Sequence, residues 1–282
     1  MPQVVSIQFQ PVTKLYYFDP GPYTDLLPGE WVLVETARGK ELAQVVVPAK
    51  EVDSGEIEGP LKRILRRANK YDLDQRVYWA KQAEAAMPVC QQKANAHGLK
   101  MRVVRCTYSY NGERLTVEFV AEHRVDFRAL VRDLARHFST RIEMRQIGVR
   151  DQAKVVGDYG RCGRALCCRS FLREFHSVSI RMAKNQNIPL SSADISGVCG
   201  RLMCSLAYEN DMYAKARKHL PKVGQKVITP DGPGVVRYLN VLLGKVTVYL
   251  ETGTMKEFLA PDLTLLHHPD RVFSMPFEEN LA

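Results

Sequence analysis

Residues 99–147 read LKMRVVRCTYSYNGERLTVEFVAEHRVDFRALVRDLARHFSTRIEMRQI, and this stretch decides the fold class. Lys100–Thr107 and Arg114–Val120 carry the period-2, β-branched pattern of strands, and Asn111-Gly112 between them is a hairpin turn signal. Asp126 is a candidate N-cap for a helix over residues 127–138, with Leu130, Leu134 and Phe138 on one face. Thr140–Ile147 returns to strand. Two strands, a helix and a third strand predict a sheet with helices packed on it, an α+β arrangement.

Upstream, Leu61, Ile64, Leu65 and Ala68 have i, i+3, i+4, i+7 spacing, which predicts a helix over 60–98. Leu73, Val77 and Ala80 continue one face, Pro88 is expected to kink or restart the helix, and Gly98 to stop it. Val4–Phe9, Trp31–Glu35 and Leu42–Val47 read as strands of a small β unit, with turn chemistry at Asp19–Pro22 and Leu27–Gly29. Downstream, Gln225–Thr229, Gly234–Leu243 and Lys245–Leu250 predict a second small β unit. The expected architecture is multidomain α+β. It comprises an N-terminal β unit (1–58), a helix plus α/β sandwich (59–156), a cysteine-rich helical and loop segment (157–220), an SH3-like β barrel (221–268) and a tail (269–282).

Composition fits a soluble chain. The 282 residues are 45% hydrophobic and 25% charged, ordinary for globular domains. No run approaches the roughly 18 apolar residues of a membrane span, and the N-terminus lacks the pattern of a signal peptide. A cytoplasmic location is expected. The net charge of +9 favours an anionic partner without naming it.

Cysteine usage carries the chemistry. Five of the seven cysteines, Cys162, Cys167, Cys168, Cys199 and Cys204, fall in two copies of one phrase: Cys-Gly-Arg-Ala-Leu-Cys-Cys at 162–168 and Cys-Gly-Arg-Leu-Met-Cys-Ser at 199–205. Clustered thiols in a reducing compartment point to metal or redox chemistry more than to disulfides. The chain has no C-x2-C zinc knuckle, and C-x4-C occurs in iron–sulfur frameworks. Zinc stays open, as does a redox dithiol. Gly163 and Gly200 allow tight turns, and Arg164 and Arg201 offer positive charge to an anionic thiolate–metal centre. Five candidate ligands exceed the four of one site, so the adjacent Cys167 and Cys168 serve different irons, different sites or a site completed by another protein, unless one of the two is simply buried. His176 is a spare candidate ligand. Cys90 and Cys106 sit in apolar-patterned elements and read as core.

Other candidates are weaker. Lys62, Arg63, Arg66 and Arg67 form a basic run, read as a solvated helix face or a contact to RNA phosphate or an acidic partner. Arg161, Arg169 and Arg173 add charge around the cysteines. Tyr238 and Tyr249 are able to stack bases, although a buried or half-buried place in the barrel is the expected state. No complete catalytic constellation is present.

The residues Gly157–Arg164 through Cys167-Cys168, then Met182–Gln186, then Ser196–Cys204 resemble the signature of the RicT (YaaT) family, which carries the polymerase-suppressor C-terminal domain. Val125–Arg128, Thr140–Asp151 and Pro221–Gly224 fit the same family. The resemblance implies a cytoplasmic, non-catalytic regulatory subunit that works with two small helical partner subunits. It implies a 4Fe–4S cluster on Cys162, Cys167, Cys168, Cys199 and Cys204, with ligands shared with the partners. It also implies action with endoribonuclease Y in mRNA maturation, with links to sporulation, biofilm formation and competence. A zinc-holding RNA-binding protein and a thiol redox enzyme are the alternatives.

Overall fold

A computed structural model describes residues 2–53, 55, 57, 59–266 and 268–273. The chain is mixed α and β, with three sheets and seven α-helices among the described residues. It divides into two compact units, Met1–Glu174 and Phe175–Ala282. The division falls inside the expected 157–220 segment and places one cysteine phrase in each unit.

The first unit opens with five antiparallel strands: β1 (Gln3–Gln8), β2 (Tyr16–Phe18), β3 (Trp31–Thr36), β4 (Gly39–Glu51) and β5 (Ile64–Arg67), in the order β2-β1-β4-β3-β5. Alternating side chains point inward, so Val5, Ile7, Val32, Val34, Ala43, Val45 and Ile64 make one core with Phe18 and Leu26.

β5 corrects the expected helix over 60–98. Residues 64–67 pair with β3, and the helix α1 begins at Lys70 and runs to Ala96. Of the four residues that suggested a helical stripe, Ile64 is buried and Leu65 is exposed, as alternation on a strand requires. The helix starts where its cap is. Asn69 Oδ1 accepts from the Asp72 amide at 3.0 Å, and the Asp72 carboxylate accepts from the Asn69 amide at 2.8 Å, a reciprocal capping box. Pro88 does not interrupt α1. It lies on the exposed side, where water can satisfy the carbonyl it leaves unpaired, while Ala83, Ala86, Cys90 and Ala94 hold the opposite side in the core.

The central layer follows the sequence reading. β6 (Arg102–Tyr108) and β7 (Arg114–Val120) form the hairpin, and β8 (Arg141–Gln146) lies parallel to β7 after the helix α2 (Arg128–Phe138). Leu115, Val117 and Phe119 of β7 pack with Leu130 and Leu134 of α2 and the small residues of α1. Asp126 is not the expected N-cap: the helix starts one residue later, with Phe127 at the cap, and Asp126, one position outside, accepts from the Arg128 amide at 3.1 Å. Two short helices close the unit, α3 (Val149–Val156) and α4 (Cys167–Ser170).

The second unit has three helices, α5 (Ile180–Asn185), α6 (Ser192–Ile195) and α7 (Cys204–Lys218). Ala183, Ile195 and Leu206 form their small core. Six antiparallel strands follow: β9 (Lys226–Thr229), β10 (Gly232–Asn240), β11 (Lys245–Leu250), β12 (Met255–Leu259), β13 (Thr264–Leu265) and β14 (His268–Val272). Their order is β12-β11-β10-β9-β13-β14. Val227, Val236, Leu239, Val246, Val248 and Leu250 fill the inner face together with Ala216 and Leu220 at the end of α7. Strand β14 occupies residues expected in the tail; residues 274–282 of that tail lie outside the described residues.

Candidate functional site

The repeated cysteine phrase is also a repeated conformation. In the first unit a one-bridge hairpin forms by antiparallel pairing of Tyr159 with Ala165. The Gly160 amide donates to the Arg164 carbonyl at 2.8 Å, and the Gly163 amide to the Gly160 carbonyl at 2.9 Å. The Leu166 amide then reaches the Asp158 carbonyl at 3.2 Å, and Cys167 opens α4. In the second unit Ser196 pairs with Leu202. Gly197 donates to Arg201 at 2.8 Å, Gly200 to Gly197 at 2.9 Å and Met203 to Ile195 at 2.9 Å, and Cys204 opens α7. The two turns agree bond for bond.

Each hairpin thus carries one thiol in its tight turn (Cys162, Cys199) and one on the first residue of the helix that follows (Cys167, Cys204). Gly163 and Gly200 stand at φ +75° and +74°, a region open to glycine and costly for a Cβ. The side chains of Arg164 and Arg201 are exposed. What the hairpins use is their backbone carbonyls.

Cys162 is exposed, Cys167, Cys199 and Cys204 are half-buried and Cys168 is buried. The fifth thiol therefore differs from the other four in its surroundings. Lys154 of α3 lies within Coulombic reach of Cys168; burial pushes its ammonium below the usual lysine range, and the sulfur's charge opposes that shift. Lys154 Nζ donates to the Val12 carbonyl at 2.5 Å. Sequence reading missed this lysine, which no motif marks.

The arginines expected to surround the cysteines are engaged in structure. Arg169 donates to the Val156 carbonyl at 2.9 Å and lies over Gly157, where a Cβ would collide with it. Arg173 donates to Gln8 Oε1 at 2.8 Å and the Thr13 carbonyl at 2.9 Å, tying the end of the first unit to its N-terminal sheet. Gly157 therefore leaves room for the Arg169 guanidinium. His176 is exposed. Among the described residues, no group of three or more His, Cys, Asp or Glu side chains is gathered as a metal-holding set.

The basic run lies along β5 and its approach, not on a helix. Arg63 pairs with Asp19 at 2.8 Å, Arg67 with Asp25 at 2.6 Å, and Arg66 with Asp72 through both guanidinium nitrogens. Lys62 is exposed. Carboxylates thus offset three of the four charges.

Cys90 and Cys106 meet in the core between α1 and β6, with their sulfurs 4.0 Å apart. This agrees with their reading as core residues.

These features define a class: an α+β protein with two cysteine hairpins, each leading into a helix. Residues 62–147 match the PSP1 C-terminal conserved region, and residues 177–220 match the third domain of PSP1-like proteins. The chain is 46% identical over 242 residues to the stage 0 sporulation protein YaaT of Bacillus subtilis (strain 168), spanning 86% of this chain and 88% of that protein. It belongs to the YaaT (RicT) family. An uncharacterized protein of Schizosaccharomyces pombe (strain 972 / ATCC 24843) is 29% identical over 157 residues, covering 46% of this chain and 21% of that protein. No solved structure matches. No helix among the described residues is long and apolar enough to cross a membrane.

Proposed function

We propose that this chain is a non-catalytic regulatory subunit whose cysteine hairpins hold an iron–sulfur cluster. It acts in a cytoplasmic complex with two small helical subunits and assists endoribonuclease Y in mRNA maturation, in the service of sporulation and related programmes. The observation that supports the cluster is the duplicated hairpin. Two turns with the same hydrogen bonds each present two thiols, the soft sulfur donors that such a group takes. Packing alone gives no reason to build the same turn twice.

Cys162, Cys167, Cys199 and Cys204 would be the ligands, with buried Cys168 a neighbour held near Lys154. The donor set fits the group: thiolates are the usual ligands of both 4Fe–4S clusters and structural zinc. When bound, a cluster would supply a redox- and oxygen-sensitive centre. The chain's own residues shape the turns and hold the thiols in place. The printed name of the Bacillus subtilis relative supports the sporulation role.

The test is metal and sulfide analysis of protein purified without air together with its partners. Iron and sulfide in equal amounts, with visible charge-transfer absorption, is the expected result. One zinc per chain without sulfide would overturn the cluster and favour a zinc site, which the same four thiols also satisfy.

A further inference from the structure

The six-stranded sheet of the second unit keeps two tyrosines out of its core. Tyr238 is 54% exposed and Tyr249 is 37% exposed, while their strand neighbours Val236, Leu239, Val248 and Leu250 are buried. The cause is a bulge. Val236 pairs with Val248 and Tyr238 with Thr247, so β10 spends two steps where β11 spends one, and Arg237 is the extra residue. Strict alternation would send Tyr238 inward with Val236. The bulge turns Tyr238 outward and leaves Arg237 outside as well, the kind of re-aiming that bulges perform beside binding sites.

On the outer face, Tyr238 lies opposite Thr247, and Tyr249 is two residues farther along the same strand. The two rings are diagonal neighbours, whose backbone positions stand about 7–8 Å apart. The Arg237 guanidinium sits 5.6 Å from the centre of the Tyr249 ring. Lys226 is exposed across from Val235, the partner of Tyr249. The other lysines near this face are matched by carboxylates: Lys245 by Glu257 at 3.5 Å and Lys256 by Asp231 at 2.8 Å. Arg237 and Lys226 are therefore the charges this face offers to an anion.

We propose that this face binds single-stranded nucleic acid, with two successive bases stacked on Tyr238 and Tyr249 and the phosphate between them at Arg237. Two rings on one sheet face with a cation beside them are what sequence-tolerant single-strand binding uses. The net charge of +9 is of the matching sign. A protein surface would take the rings as readily, but it would not call for unmatched positive charge beside them. The inference stands whether or not the hairpins hold a cluster.

The test is fluorescence anisotropy of a labelled short oligouridylate with the full chain, in a salt series, with oligothymidylate as the DNA arm. Tyr238→Ala and Tyr249→Ala should each weaken binding about fivefold to a hundredfold. Tyr238→Phe and Tyr249→Phe should stay close to wild type, because the ring and not the hydroxyl does the stacking. Arg237→Gln should reduce the salt slope by about 0.7. Should an alanine variant fail to fold, ultraviolet cross-linking of the unmodified chain, mapped by peptide mass spectrometry, should fall on Tyr238 or Tyr249. Wild-type affinity in folded alanine variants would assign the face to a protein partner and overturn the proposal. So would cross-links mapping elsewhere, an absence of binding at low ionic strength, or equal losses in the phenylalanine variants.

Discussion

The sulfur of Cys162 lies 3.3 Å from the point that a Cβ on Gly160 would occupy. In the second hairpin the corresponding distance, from Gly197 to the Cys199 sulfur, is 3.9 Å. The first is tighter than most real contacts of a Cβ and the second is ordinary. The two copies of the turn therefore differ in how closely the thiol is folded against its own backbone.

Gly160→Ala should push the Cys162 sulfur aside and lower the metal bound per chain. Gly197→Ala should leave metal content close to wild type. Elemental analysis of both variants, purified without air, measures the contrast. Equal occupancy in the two would show that the Cys162 sulfur does not depend on this contact.

Gly112 turns the β6–β7 hairpin at φ +74°, and a Cβ there would stand 2.1 Å from the Trp79 ring. That ring also touches Tyr78 and Tyr108, each with its centroid 5.0 Å away, so displacing it disturbs both contacts. Gly112→Ala should cost more than the roughly 1 kcal/mol of a left-handed residue alone. Gly98→Ala, at φ +65° with open space around it, isolates the backbone part. Thermal melting should place Gly112→Ala clearly below Gly98→Ala.

The Asp72 carboxylate is fully buried. The Arg66 guanidinium, then the Tyr110 hydroxyl at 2.5 Å and the Asn69 amide, hold its pKa below the usual carboxylate range against the opposing effect of burial. A depressed folded pKa means that the stabilisation is complete above the unfolded value, about 3.9, and fades as pH falls through the folded one. Stability should therefore decline with acid below about pH 4. Asp72→Asn should flatten that decline while lowering stability at neutral pH by about 2–4 kcal/mol, since the charge paired with Arg66 is lost and one of the two accepting oxygens becomes an NH2 that faces other donors. Denaturant titrations across pH measure both effects.

Hydrogen bonding to Cys90, together with burial, pushes the Cys106 thiol well above the usual range. In the native protein Cys106 should resist iodoacetamide at mildly alkaline pH, while exposed Cys162 in metal-free protein should react. Mass spectrometry of partly alkylated chain separates the two. Rapid modification of Cys106 under native conditions would contradict the closed core between α1 and β6.

The central layer was legible because its elements announce themselves twice, by period and by punctuation. Alternation across 102–108 and 114–120 and the Asn111-Gly112 turn gave β6 and β7, and Leu130 with Leu134 gave α2. Residues 60–69 misled because Leu61, Ile64, Leu65 and Ala68 fit a helical stripe by spacing alone. The discriminating signal was Asn69-x-x-Asp72, a cap that places the helix start after them. The cysteine phrases were visible as a repeat, but their matched hydrogen bonds were not, since nothing in composition specifies a turn bond by bond. Tyr238 was expected buried or half-buried in the barrel, and alternation from Val236 would indeed put it inside. One extra residue reverses that face, and sequence periodicity gives no sign of where a bulge falls.

The carboxylate of Asp72 joins a strand of the N-terminal sheet through Arg66, the first turn of α1 through Asn69, and the β6–β7 loop through Tyr110. Two neighbouring elements, β5 and α1, and a loop 38 residues away in sequence thus share one acceptor. Opening any of them strips a partner from a charge that water cannot reach, so partial melting is penalised and the N-terminal strands and the central layer are coupled into one cooperative transition. Amide exchange in β3 and in β7 should then report the same opening free energy, and the N-terminal strands should not fray ahead of the layer that follows them.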